Sequence, residues 1–209
     1  VYPKQKNKHT RLFQEQKRRK GQFNNLKIVF LDPRIHTDYD AQINPYIRNG
    51  IIIDACIVRE IIDGIISARI TKKESPELDK ILKFLDIIKC NNKWDKFFIT
   101  PHVLTEVCQQ VREEYKGWQE PEKIINEIMP ILKDMGDQQV SKDGFLGIIK
   151  DKKHLAIEAG DISIFVATND FLNQKEKIAI LSNDSGLNHE YEFNDRVMLM
   201  DYNRFIQNT

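Results

Sequence analysis

The chain has 209 residues, of which 41% are hydrophobic and 30% charged, with a formal net charge of +1. That apolar share supports a core and excludes wholesale disorder, and the length suits one α/β domain of ordinary size with a short extra segment. No uninterrupted apolar run approaches membrane-spanning length, and no charged-then-apolar leader pattern opens the sequence at Val1.

The first segment is strongly basic. Residues 1–34 hold ten Lys or Arg against two acids, a balance of +8, while the other 22 basic and 29 acidic residues leave the rest at −7. Lys17, Arg18, Arg19 and Lys20 form the densest cluster, flanked by Phe13 and Phe23. A basic arm on an acidic body points to nucleic-acid contact or, equally, to a solvated basic helix that keeps the chain soluble. Leu26 to Leu31 then reads as a strand stopped by Asp32-Pro33, and residues 32–49 read as a connecting loop. The chain therefore divides into a basic segment and linker over 1–49 and a folded domain over 50–209.

Gly50 to Cys56 reads as a core strand, apolar without alternation and bounded by Asn49-Gly50. From Ile57 the period changes to helical, with Ile57, Ile61, Ile62, Ile65, Ile66 and Ile70 on one face. Ser75-Pro76 starts a second helix, with Leu78, Ile81, Leu82, Leu85 and Ile88 as its stripe. Lys96 to Thr100 is a short strand, and Thr100-Pro101 opens a helix carrying Val103, Leu104, Val107 and Val111. A helix around Pro121–Met135 follows, bent at Pro130, and then a loop from Gly136 to Gly147. Asp161 to Leu172 is a helix, Lys177 to Ser182 a strand, and Val197 to Met200 a last strand. Strands alternating with helices predict a three-layer α/β/α fold with a central parallel sheet.

Cysteine and histidine usage narrows the chemistry. Cys56, Cys90 and Cys108 are odd in number and lack C-x-x-C spacing, so they read as buried free thiols in a reducing, cytoplasmic setting. His9, His36, His102, His154 and His189 are scattered without ligand spacing, which argues against zinc; His102 and His189 could reach the rim of the expected cleft but read better as surface histidines. No phosphate-cradling loop and no nucleophilic triad is recognisable.

The chemistry concentrates instead in four acids. Asp54 ends Ile51-Ile52-Ile53, Glu106 follows Phe97-Phe98-Ile99-Thr100-Pro101, Asp161 opens an apolar helix after Gly160, and Asp184 closes Ile178-Ala179-Ile180-Leu181-Ser182-Asn183. Each has an ordinary explanation: Asp161 a helix-start acid, Glu106 one exposed acid among 31, Asp184 a turn residue. Asp54 has the least, because three isoleucines precede it and no turn signal accompanies it. A carboxylate at the end of a buried strand is costly unless something cationic meets it, and strand carboxyl ends are where parallel sheets bind ligands. Asp170 and Asp201 read as ordinary helix-end and strand-end acids, with Asp201 in reserve.

In this order and local setting, the acids resemble those of a PIN domain, the nuclease fold of toxin ribonucleases from toxin–antitoxin pairs and of RNA-processing and decay factors. The resemblance covers roughly Gly50 to Tyr202. It departs in two places: many members carry a further acid two residues after the fourth, and here that position is Gly186; and the segment between Asp54 and Glu106 is long, with an additional helix at about residues 76–90. The resemblance implies an endoribonuclease dependent on Mg²⁺ or Mn²⁺, with Asp54, Asp161, Asp184 and Glu106 as metal and catalytic residues. Ser182, Asn183 and Thr105 would orient the carboxylates. Implied partners are RNA, an antitoxin or other regulatory protein, or a second copy of the chain, with no membrane. The alternatives are a catalytically silent PIN-like module that binds RNA or protein, and a DNA nuclease of the flap-endonuclease type. Elementary chemistry agrees with the first: crowded carboxylates repel, and a hard divalent cation with oxygen ligands relieves them.

Overall fold

Three consecutive isoleucines cannot alternate between core and solvent, so a strand made of them must be covered on both faces. In the computed structural model, which describes residues 39–150, 158–174, 176–184, 187, 191 and 194–202, Ile51, Ile52 and Ile53 are each 0% exposed. They form β1 (Ile51–Ile53), the middle strand of a five-stranded, all-parallel sheet. β2 (Phe97–Ile99) and β4 (Ile178–Leu181) flank it, and β3 (Gly136–Asp137) and β5 (Val197–Met200) lie outermost, giving the order β3-β2-β1-β4-β5. Among the described residues, seven α-helices surround this sheet in a three-layer α/β/α arrangement.

The helices are α1 (Tyr39–Ile47), α2 (Ala55–Ile65), α3 (Pro76–Ile87), α4 (Pro101–Tyr115), α5 (Pro121–Asp134), α6 (Lys142–Lys150) and α7 (Ala159–Asn173). Local chemistry explains their starts. The Ser75 hydroxyl accepts from the Leu78 N–H, the Thr100 hydroxyl accepts from Val103 N–H at 3.2 Å, and prolines occupy the first position of α3 and α4. The isoleucine stripe of α2 buries Ile57, Ile61, Ile62 and Ile65, as its spacing predicts. α2 runs on into a π-helical turn, Ile66–Thr71, which ends at left-handed Lys72 with φ 56°. α7 has no polar stripe at all over its middle: residues 162–168 are buried throughout, so it is an interior helix.

Gly50 is required by its backbone. Its φ is +110°, and an added Cβ would stand 2.2 Å from Cε2 of Phe98. Only a residue without a side chain can lead into β1 there.

Three expectations need revision. The stretch 32–49 is not loop throughout, because Tyr39–Ile47 is helical. Its inner residue Ile43 is 2% exposed; Tyr46 donates to the Asp195 carbonyl at 2.6 Å, and Asn49 Nδ2 donates to the Lys177 carbonyl at 3.2 Å. An internal Pro45 hides this helix from a propensity reading. The expected loop from Gly136 to Gly147 contains β3 and the start of α6. A strand of two residues has no readable period, and Gly144 and Gly147 weaken the helical signal. The strand expected to reach Cys56 stops at Ile53, since Asp54 turns the chain into α2. Pro130 does not interrupt α5. The strand expected at Leu26 to Leu31 and the basic cluster Lys17 to Lys20 lie outside the described residues.

Candidate metal centre

Chain order reverses beside β1. β2 and β3 are laid down on one side of it and β4 and β5 on the other, so the boundary between β1 and β4 is the topological switch point of the sheet. Open α/β sheets bind ligands at that boundary, just beyond the strand carboxyl ends. The register there is explicit: Ile53 pairs with Leu181, and the next residues, Asp54 and Ser182, leave the sheet side by side. The Asp54 N–H still donates to the Leu181 carbonyl at 3.1 Å, and the Ser182 N–H to the Met200 carbonyl at 3.1 Å. The ladder thus holds both residues at the edge.

Asp54 is 6% exposed and has three donors. Its Oδ1 accepts from the Ala55 N–H at 2.6 Å, so it caps α2. Its Oδ2 accepts from the Ser182 hydroxyl at 2.6 Å and from the Cys56 thiol at 3.1 Å. The sequence shows no turn to excuse this acid; the structure supplies one, because a strand-to-helix junction needs a cap. The Ser182 oxygen in turn accepts from the Asp184 N–H at 2.9 Å, and Asp184 Oδ1 accepts from the Leu187 N–H at 2.9 Å. One serine hydroxyl therefore ties together two of the four acids.

Glu106 and Asp161 come from α4 and α7. The first turns of these helices are joined by a buried polar link, in which the Thr100 and Ser163 hydroxyls lie 2.6 Å apart and the Ser163 hydroxyl donates to the Gly160 carbonyl. Burial raises the Asp161 carboxyl to about 7, and the charges of Asp54, Asp184, Glu158 and Glu106 push in the same direction. The N-terminal dipole of α7 favours the ionised form by only about 0.3–1 kcal/mol, and it is outweighed. Glu106 is also raised, by burial and then by Glu158 and Asp54, while a hydrogen bond from Gln110 to its Oε1 at 3.0 Å opposes the shift. The four sequence-predicted acids thus share one electrostatic neighbourhood.

Neither a protein-family model nor a curated protein matches the chain. Among the described residues, no three His, Cys, Asp or Glu side chains converge closely enough to hold a metal ion as they stand. Asp161 feels the charge of the other three acids, while oxygens of Asp54, Asp184 and Glu106 accept from protein donors. Such a donor set, all oxygen and mutually repelling, suits a hard cation better than zinc.

The structure adds two groups to those the sequence singles out. Glu158, at the cap position of α7 and three residues before Asp161, raises both Glu106 and Asp161. The i, i+3 spacing to Asp161 is the signal that could have found it. Cys56 is half-buried rather than a core thiol, and burial together with the Asp54 charge raises its pKa strongly. Cys90 is buried as expected, and Cys108 is exposed.

The remaining candidates divide. Asn183 lies at the edge of the site: its backbone N–H acts on the Cys56 sulfur, and its amide adjoins the Tyr202 hydroxyl. That amide approach completes no hydrogen bond of acceptable geometry, and both amide atoms are buried without a partner. Tyr202 instead donates to the Glu60 carboxylate. Thr105 is not brought to the acids; it is exposed and donates to the Pro101 carbonyl at 2.7 Å within its own helix. His102 stacks on Phe145 with ring centroids 4.6 Å apart, and His189 is outside the described residues.

Proposed function

We propose that this chain is a divalent-metal-dependent endoribonuclease, in keeping with its resemblance to PIN domains. One observation carries the reading: the Asp161 carboxyl is pushed up to about 7 by burial and by four other acids, among them Asp54 at the switch point of the parallel sheet. A group shifted by burial together with specific charge partners in such a crevice is a candidate for a functional site. Bound Mg²⁺ or Mn²⁺ would polarise the scissile phosphate and lower the pKa of an attacking water.

The chain's own residues divide the work of receiving that cation. Asp54 and Asp184 are assigned as ligands, because the Ser182 hydroxyl orients the Asp54 carboxylate and accepts from the Asp184 backbone N–H, while the Leu187 N–H orients the Asp184 carboxylate. Asp161 is assigned as a ligand or a holder of metal-bound water, and Glu106 as the acid that acts through water. Glu158 adds negative charge at the rim. RNA is assigned as the substrate and as the partner of Lys17, Arg18, Arg19 and Lys20. A regulatory protein such as an antitoxin would act by covering the strand carboxyl ends. A reducing, cytoplasmic location fits this assignment. Among the described residues no helix is long and apolar enough to cross a membrane.

The test is incubation of purified protein with a mixed RNA pool in Mg²⁺, Mn²⁺ or EDTA, beside Asp54→Asn. Cleavage that requires metal and is lost in the variant is the expected outcome. RNA binding without cleavage in either metal would replace the nuclease with a silent PIN-like module. Cleavage confined to DNA would move the assignment to the flap-endonuclease type.

A further inference from the structure

Glu106 has an unusual neighbour. Its Oε1 is held by Gln110 Nε2 at 3.0 Å. Its Oε2 lies over the backbone of Gly160, so close that a Cβ built on Gly160 would stand 2.5 Å from that oxygen. Real Cβ atoms do not approach an oxygen so closely, so any side chain at 160 must move the carboxylate. Gly160 itself needs no special backbone: it sits in the first turn of α7 without a positive φ, where any residue could stand. Helix propensity disfavours glycine there relative to alanine. Neither backbone strain nor propensity explains this glycine, but the close approach of Glu106 does.

We propose that Gly160 is a positioning residue whose missing side chain forms the seat of the Glu106 carboxylate, one residue before Asp161. The two helices cannot simply separate to admit a larger residue. The Thr100 hydroxyl at the cap of α4 meets the Ser163 hydroxyl of α7 at 2.6 Å, and Val103 Cγ2 lies 3.9 Å from the same built Cβ. The carboxylate is the movable partner. Displacing it would move the Glu106 carboxylate from its place against Gly160, while Gln110 still holds Oε1. The geometry stands by itself; its functional meaning rests on the proposed metal site.

The test is a double-mutant cycle on Gly160→Ala and Glu106→Ala, read as melting temperature in EDTA and as the affinity and melting-temperature gain with Mn²⁺. In EDTA, Gly160→Ala should raise the melting temperature only in the Glu106→Ala background, where the better helix former meets no carboxylate. With Glu106 present, the gain should vanish or reverse. Gly160→Ala alone should weaken Mn²⁺ affinity about tenfold, the lower end of the range seen when outer-shell groups of a metal site are disturbed. The double variant should bind Mn²⁺ no more weakly than Glu106→Ala. An equal rise in melting temperature in both backgrounds would overturn the seat, as would wild-type Mn²⁺ affinity in Gly160→Ala. If the wild-type protein gains nothing from Mn²⁺, the metal reading fails instead, and the cycle in EDTA still decides whether Gly160 positions Glu106.

Discussion

Asp161 holds its proton up to about 7 because burial and four neighbouring acids all disfavour its charge. An unfolded aspartate ionises near ~3.9. Between these values the folded protein binds more protons at this position than the unfolded chain does. The contribution of this group to stability is therefore fully present below about pH 4 and is lost as pH rises toward 7. Asp161→Asn keeps the shape of the protonated acid and removes the titration. In EDTA, urea midpoints measured from about pH 4.5 to 7.5, the span of this titration, should fall less steeply in Asp161→Asn than in wild type. Parallel curves would show that Asp161 does not carry the repulsion. Saturating Mg²⁺ should flatten the wild-type curve, since a cation favours the ionised form.

At the scale of elements, the informative junction is the one between β1 and α2. Asp54 serves there both as a candidate ligand and as the cap of α2 through the Ala55 N–H. Two variants separate these roles. Asp54→Asn loses the charge but keeps an acceptor, whereas Asp54→Ala loses both. Relief of repulsion is common to the two, so it cancels between them. Asp54→Ala should therefore be less stable than Asp54→Asn by about 1–2 kcal/mol in metal-free urea denaturation. Equal stability would mean that the cap contributes nothing. The same comparison makes Asp54→Asn the right variant for the RNA assay, since abolished cleavage cannot then be blamed on a missing cap.

Over the whole molecule, charge is unevenly distributed: residues 1–34 carry +8 and the rest −7. An acidic crevice repels RNA, so a substrate needs cations elsewhere on the chain. Deleting residues 1–25 should weaken RNA binding and reduce the log–log salt slope by roughly 0.7 for each phosphate that the arm had neutralised. Metal-dependent cleavage should persist at high enzyme concentration, since none of the candidate ligands lies in the arm. If the deletion lowers the melting temperature and leaves the salt slope unchanged, the arm serves stability and its RNA role is excluded.

The sheet was legible in the residues wherever burial dictates composition. Ile51-Ile52-Ile53 and Ile178-Ala179-Ile180-Leu181 have no polar alternation, and both are central strands with every residue buried. Ser75 and Thr100 announce α3 and α4, because a cap is a local hydrogen bond between near neighbours in sequence. Asp54, Glu106, Asp161 and Asp184 could be picked out because each adjoins such an element. The rest depended on contacts between distant parts of the chain. The two residues of β3 become a strand only by pairing with β2, and α1 and the turn after it are held by bonds from Tyr46 to the Asp195 carbonyl and from Asn49 to the Lys177 carbonyl. The part played by Glu158 lies in a field summed across α4, α7 and the strand ends. The reason for Gly160 lies in an oxygen 54 residues earlier in the chain, brought over it by the docking of α4 on α7. Pattern along a sequence reports what each segment buries; it does not report which carboxylate another segment will place upon it.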